Sequence, residues 1–107
     1  MKMMTDEKKK ALAERLAELV NRVSEEWLVP IEDIMQPTRG TTLAVEARWV
    51  AMYGAVNVME LTRERVGKVF GGRDPSAVSN AVGKVVCRMV ADEQYRRRVE
   101  KVVKFEI

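Results

Sequence analysis

The sequence predicts an all-α domain of about six helices, and three observations carry that expectation. Apolar residues recur at spacings of three and four along most of the chain. The three prolines and six glycines among the 107 residues fall largely between those stretches. Residues suited to starting helices stand where the periodic runs begin.

The elements follow in order. Leu12, Leu16, Leu19, Val20, Val23 and Trp27 lie on one face of a long amphipathic helix over 5–27, with Thr5 as its cap and Asp6 and Glu7 at its positive end. Leu28 to Met35 reads as a corner and a short second helix, because Pro30 suits a helix start and Pro37 forbids continuation. After the polar loop 36–41, Leu43, Ala47, Val50, Ala51, Gly54 and Val58 mark a third helix that ends near Met59. Thr62 caps a fourth helix over about 62–70, in which Val66, Val69 and Phe70 face one way, and Gly71 and Gly72 end it. Asp74 followed by Pro75 starts a fifth over about 75–90, with the stripe Val78, Ala81, Val82, Val85, Val86 and Met89. Asp92 caps a sixth that carries Tyr95, Val99 and Val102, followed by a tail to Ile107 whose conformation the pattern leaves open.

Composition narrows the chemistry. With no histidine and a single cysteine, a Cys/His zinc site, a histidine-based nucleophilic pair and an internal disulfide are excluded; Cys87 is expected as a small buried residue. The adjacent carboxylates Glu25/Glu26 and Glu32/Asp33 diverge on a helix, so no enzyme and no cofactor are expected. Both Gly-Lys pairs, at 67–68 and 83–84, are followed by valine, so the chain carries no phosphate loop and no nucleotide is expected. No apolar stretch matches a membrane span, and the charged N-terminus lacks the apolar core of a secretory signal, which predicts a cytoplasmic protein that meets no membrane. One domain over 1–107 fits this length. The net charge of +3 is uneven: residues 1–40 hold 7 basic and 8 acidic side chains, residues 41–107 hold 12 and 8. A basic C-terminal part permits nucleic-acid binding.

Residues Thr62 to Met89 form a short helix, a Gly-Gly turn and a longer helix, the layout of a helix-turn-helix. Such a unit lays its second helix in the DNA major groove, N-terminal residues toward the base edges. Ser76, Ser79 and Asn80 are the short polar side chains that this docking needs, Arg73 precedes them, and Ser76, Asn80 and Lys84 share an outward face at spacings of four. The same positions also suit a solvated face, and Asp74 suits a helix cap as well as a base contact.

Phe70-Gly71-Gly72-Arg73-Asp74-Pro75-Ser76-Ala77-Val78, with Val66-Gly67 before it and Ala47-Arg48-Trp49-Val50-Ala51-Met52-Tyr53 earlier, closely resembles the C-terminal DNA-binding domain of the bacterial replication initiator DnaA. Val29 to Ile34 resembles that family's short second helix, so the likeness covers about 20–90 within a DnaA-like region over 28–90, ahead of a C-terminal helix and tail over 91–107. The resemblance implies base and phosphate contacts from Arg48, Arg73, Asp74 and Ser76. Pro75 and Ala77 depart from the family's His and Thr, and Arg39 is the single cation where the family has a basic loop. The DNA-binding set expected is therefore Arg39, Thr42, Arg48, Arg63, Arg73, Asp74, Ser76, Ala77, Asn80 and Lys84. Ala77 offers only an apolar contact, for instance to a thymine methyl.

The function expected is sequence-preferring binding of double-stranded DNA, in the nucleoid, by a regulator or accessory factor of replication or transcription without the initiator's ATPase. The alternative is a protein-interaction or dimerisation module that keeps the fold without the readout. In either case the N-terminal helix or the C-terminal tail is where a homodimer would form.

Overall fold

A computed structural model describes residues 5–104; the expected tail at 105–107 lies outside the described residues. Six α-helices run in the order α1 (Asp6–Trp27), α2 (Ile31–Met35), α3 (Thr42–Tyr53), α4 (Arg63–Val69), α5 (Pro75–Ala91) and α6 (Glu93–Val103), and no strand occurs among the described residues. The all-α expectation holds. The third helix reaches its expected limit in two parts, because Gly54–Val58 widens into a π-helical turn closed by the bond from Met59 N–H to the Gly54 carbonyl.

Local chemistry explains where the helices begin. The Oγ1 atoms of Thr5, Thr41 and Thr62 accept hydrogen bonds from the backbone N–H groups of Lys8 (3.2 Å), Ala44 (3.1 Å) and Arg65 (3.2 Å), and Asp92 accepts from Tyr95 (3.1 Å). Each satisfies one of the free donors at a helix start, worth about 1 kcal/mol.

α3 lies at the centre, against α1, α2 and α5. Its inward positions Ala44, Ala47, Val50 and Ala51 are fully buried, and their small volume lets the neighbouring helices approach closely. Leu19, Val23 and Trp27 of α1, Ile34 of α2, Phe70, Val78 and Val85 around the second half, and Val99 and Val103 of α6 complete one core. α6 is drawn to the end of α1 by Arg98, whose guanidinium lies 4.1 Å from the Trp27 ring centroid and donates to the Glu26 carbonyl at 2.8 Å.

Several apolar assignments are corrected, Val58 and Val69 among them, each at the edge of exposure. Cys87 is exposed and Val86 is 40% exposed, because α5 buries the narrower stripe Val78, Ala81, Val82 and Val85 and turns residues 83, 86, 87 and 90 to solvent. Leu43, at the start of α3, is also exposed.

The α1–α2 corner stores strain. Leu28 sits at φ 56°, ψ 44°, where its N–H and that of Val29 both close on the Ser24 carbonyl. A left-handed backbone costs a β-carbon-bearing residue about 1–2 kcal/mol, and the Leu28 side chain, 85% exposed, recovers almost nothing by burial. Leu28→Gly should therefore raise the unfolding free energy by about 1 kcal/mol, read as a higher urea midpoint with unchanged m-value.

Candidate nucleic-acid interface

The helix-turn-helix is built around a close approach that only glycine permits. In α4, Gly67 is fully embedded: its carbonyl accepts the Arg73 N–H at 2.8 Å, and a β-carbon at Gly67 would stand 2.0 Å from the Arg73 carbonyl oxygen. Gly71 and Gly72, at φ 82° and 75°, reverse the chain between α4 and α5, and Phe70 is fully buried beneath the turn. This fixes the start of α5 relative to α4.

Arg73 then joins the turn to a distant segment. Its guanidinium donates to the carbonyls of Gln36 and Thr38, each at 3.0 Å, and to that of Phe70. Arg48 holds the same segment from the α3 side. Its Nε donates to the Ile34 carbonyl at 2.7 Å, Nη2 to Asp33 at 2.7 Å and Nη1 to Arg39 at 2.9 Å. Five carbonyls between residues 33 and 39 are thus taken by two guanidinium groups. Burial lowers the pKa of both arginines. For Arg48 the nearby Arg73 lowers it further, and Asp33 acts in the opposite sense. Both stay cationic at neutral pH, because a guanidinium titrates far above it.

The resemblance led us to expect a base or phosphate contact from Arg48. The side chain is instead 3% exposed and organises the α2–α3 loop, with every nitrogen of the group donating to a main-chain carbonyl. Sequence gave no signal for this, since the acceptors are backbone atoms.

The other expected residues fall into groups. Arg39, Arg48, Arg73 and Ala77 line one cleft of about 320 Å³ between the loop, α3 and the start of α5, with Trp49 in its wall. Thr42 is exposed at the first position of α3, next to Thr41, which provides the cap. Asp74, Ser76, Ala77 and Asn80 are all exposed at the start of α5. Asp74 occupies the cap position but its carboxylate makes no capping bond; the N–H groups of Ala77 and Val78 go to the Asp74 carbonyl instead. The expected side-chain cap is therefore absent and the carboxylate is open to another donor.

Lys84 does not point forward with Ser76 and Asn80; its Nζ lies 4.4 Å from the Trp49 ring centroid, drawn sideways onto α3. Arg63 is exposed at the first residue of α4, outside that cleft. Ser79, Gly83, Cys87 and Arg88 join Asn80 and Lys84 along a second, shallower concavity on α5. Of these, Gly83, Cys87 and Arg88 are not among the residues expected at DNA from sequence. Arg88 is fixed by Glu46 at 3.5 Å and by the Tyr95 ring at 4.3 Å, partners distant in sequence.

With this geometry established, the comparison with known proteins is decisive. A family model described as the bacterial DnaA protein helix-turn-helix matches residues 16–85. The chain belongs to the bacterial DnaA helix-turn-helix family. The match contains α2 to α4, most of α5 and the arginine-held loop. Similar curated proteins include the chromosomal replication initiator protein DnaA of Streptococcus uberis, 32% identical over 81% of this chain and 19% of the relative. That of Streptococcus thermophilus is 33% identical over 70% of this chain and 20% of the relative, and that of Gluconobacter oxydans 32% identical over 79% and 18%. This DnaA-family chain thus spans about a fifth of the length of those relatives. No described helix is long and apolar enough to cross a membrane.

Removing Arg48 from this DnaA-type fold should expose its structural role. Arg48→Ala leaves three carbonyls without their charged donor, each such loss costing about 1–3 kcal/mol when buried. Chemical denaturation should show a loss of at least about 3 kcal/mol, against under 1 kcal/mol for the exposed Arg39→Ala.

Proposed function

We propose that this chain binds double-stranded DNA with sequence preference, as a regulator or accessory factor in replication or transcription, by laying the start of α5 in the major groove. The observation that carries the reading is the cleft that brings Arg39 of the loop beside Arg73 and Ala77 at the start of α5, more than 30 residues away, where Asp74 and Ser76 are also exposed. The family membership supports it, as does the excess of basic residues after position 40.

The roles divide by chemistry. Arg39, exposed at the end of the loop, meets phosphate or a groove edge. Ser76 and Asn80 supply hydrogen bonds to base edges, Ala77 an apolar surface, and Asp74 an acceptor suited to the exocyclic amine of cytosine. Thr42 and Arg63 stand at exposed helix starts, where flanking phosphate is the fitting ligand. Arg48 and Arg73 act indirectly: they place the loop and the turn at which the readers stand. Chemistry on the substrate forms no part of this role.

Binding measured on a duplex pool as a function of salt tests the reading. Affinity should fall steeply with rising salt, and Arg39→Ala should reduce the slope of log K against log salt by about 1 without changing the preferred sequence. Asp74→Ala should cost about 1–3 kcal/mol on the preferred site and little on unrelated duplex. Absence of any duplex binding at low ionic strength would sink the proposal.

A further inference from the structure

The first half of α1 stands away from the core. The buried residues of this helix, Leu19, Val20, Val23 and Trp27, all fall in its second half, whereas Leu12 and Leu16 are only half-buried. α4 packs mainly on α5 and the π-helical turn, and α1 mainly on α2, α3 and α6. Between α1 and α4 this leaves an open apolar groove of about 330 Å³, with Leu12, Ala13 and Leu16 on one wall and Leu61 and Val69 on the other. The exposed Lys9 and Arg65 complete its lining. Apolar walls left in water make such a groove unfavourable in proportion to their area, so an apolar segment that covers it stabilises the fold.

The path of α6 says what arrives there. α6 runs antiparallel to α1: Arg98 lies over Trp27 and donates to the Glu26 carbonyl, while Val103, five residues on, shares with Leu19 the space beside Gly54. A β-carbon at Gly54 would meet Leu19 at 2.9 Å and Val103 at 3.0 Å. The far wall of the groove begins at the same place, because the Leu61 N–H donates to the carbonyl of Ala55 at 3.0 Å. α6 ends at Val103, and Lys104, at φ −99° and ψ 88°, has left the helix. Continued in this direction, the chain passes from Leu19 to Leu16 and then Leu12, about 4.5 and 10.5 Å further along the α1 axis. Phe105, Glu106 and Ile107 are next in sequence. Alternate residues of an extended chain share one side at a spacing of about 6.6 Å, which matches the roughly 6 Å between Leu16 and Leu12.

We infer that residues 105–107 occupy the groove between α1 and α4, with Phe105 and Ile107 against Leu12 and Leu16 and Glu106 turned outward to Lys9 and Arg65. The occupant is a segment of the same chain: the first helix and the tail, the two regions that sequence marks as homodimer faces, cover one another. The tail thereby ties α4, the first helix of the helix-turn-helix, to α1. This contact is independent of the DNA-binding reading.

Thermal unfolding of the full chain, of Phe105→Ala, of Leu12→Ala and of the double variant tests it, with sedimentation of the wild type alongside. The expected result is a monomer whose melting midpoint does not depend on protein concentration, and a midpoint about 4–8 °C lower in Phe105→Ala. In the Leu12→Ala background the same change should lower the midpoint by less than half as much, because its partner is already gone. A Phe105→Ala midpoint within about 1 °C of the wild type overturns the inference, since a residue outside the groove loses nothing on truncation. Strictly additive losses overturn it too, by placing Phe105 and Leu12 in separate contacts. A wild-type dimer whose midpoint rises with concentration gives the groove to a second copy and equally contradicts it.

Discussion

The candidate interface depends on two guanidinium groups holding one irregular segment. Residues 36–41 have no helical bonds of their own, yet they place Arg39 and deliver the chain to the cap of α3 at Thr41. Arg48 reaches them from α3 and Arg73 from the turn before α5, so the loop is fixed simultaneously to the centre of the core and to the recognition element. Hydrogen bonds from a charged donor contribute about 1.5–3 kcal/mol each. Two like charges close enough to lower the pKa of Arg48 persist because the carbonyl dipoles around them and Asp33 offset the repulsion. The arrangement uses arginine for its geometry, since a lysine ammonium lacks the planar fork that reaches several carbonyls at once.

α5 serves two purposes with separate faces. Val78, Ala81, Val82 and Val85 seat it on α3 and α4, and a narrow buried stripe leaves most of its circumference to solvent. Pro75 at the first helical position removes an N–H that would otherwise need a partner, the Asp74 carbonyl accepts from Ala77 and Val78, and the Asp74 carboxylate makes no capping bond.

Much of the fold was legible because its instructions are local. Thr5, Thr41, Thr62 and Asp92 start helices by bonds to their own third neighbours, and the glycine pair at 71–72 ends α4 by backbone freedom alone. The exposed positions of Ser76, Ala77 and Asn80 are legible for the same reason, once α5 has a start and an inward face. What escaped was set by distant partners. The base or phosphate contact that the resemblance implies for Arg48 misses its structural bonds, because its acceptors are main-chain oxygens 9 to 15 residues away, which leave no trace in side-chain identity. Lys84 was placed on the forward face, but Trp49 of α3 draws it aside. Val86 is expected inward because an apolar stripe on a helix does not reveal which of its edges the neighbouring helices cover, and Cys87 because a free cysteine usually behaves as a small buried residue.

Arg73, on the proposed reading, acts on DNA through the loop it holds and not by touching the duplex itself. A double-mutant cycle on duplex affinity, with Arg73→Met and Arg39→Ala singly and together, tests this most directly. If Arg73 positions Arg39, the first change already removes most of what the second can remove, and the cycle should show a coupling of about 1 kcal/mol or more. Additive losses, within about 0.3–0.5 kcal/mol, would mean that the two arginines contact DNA independently and would contradict the account.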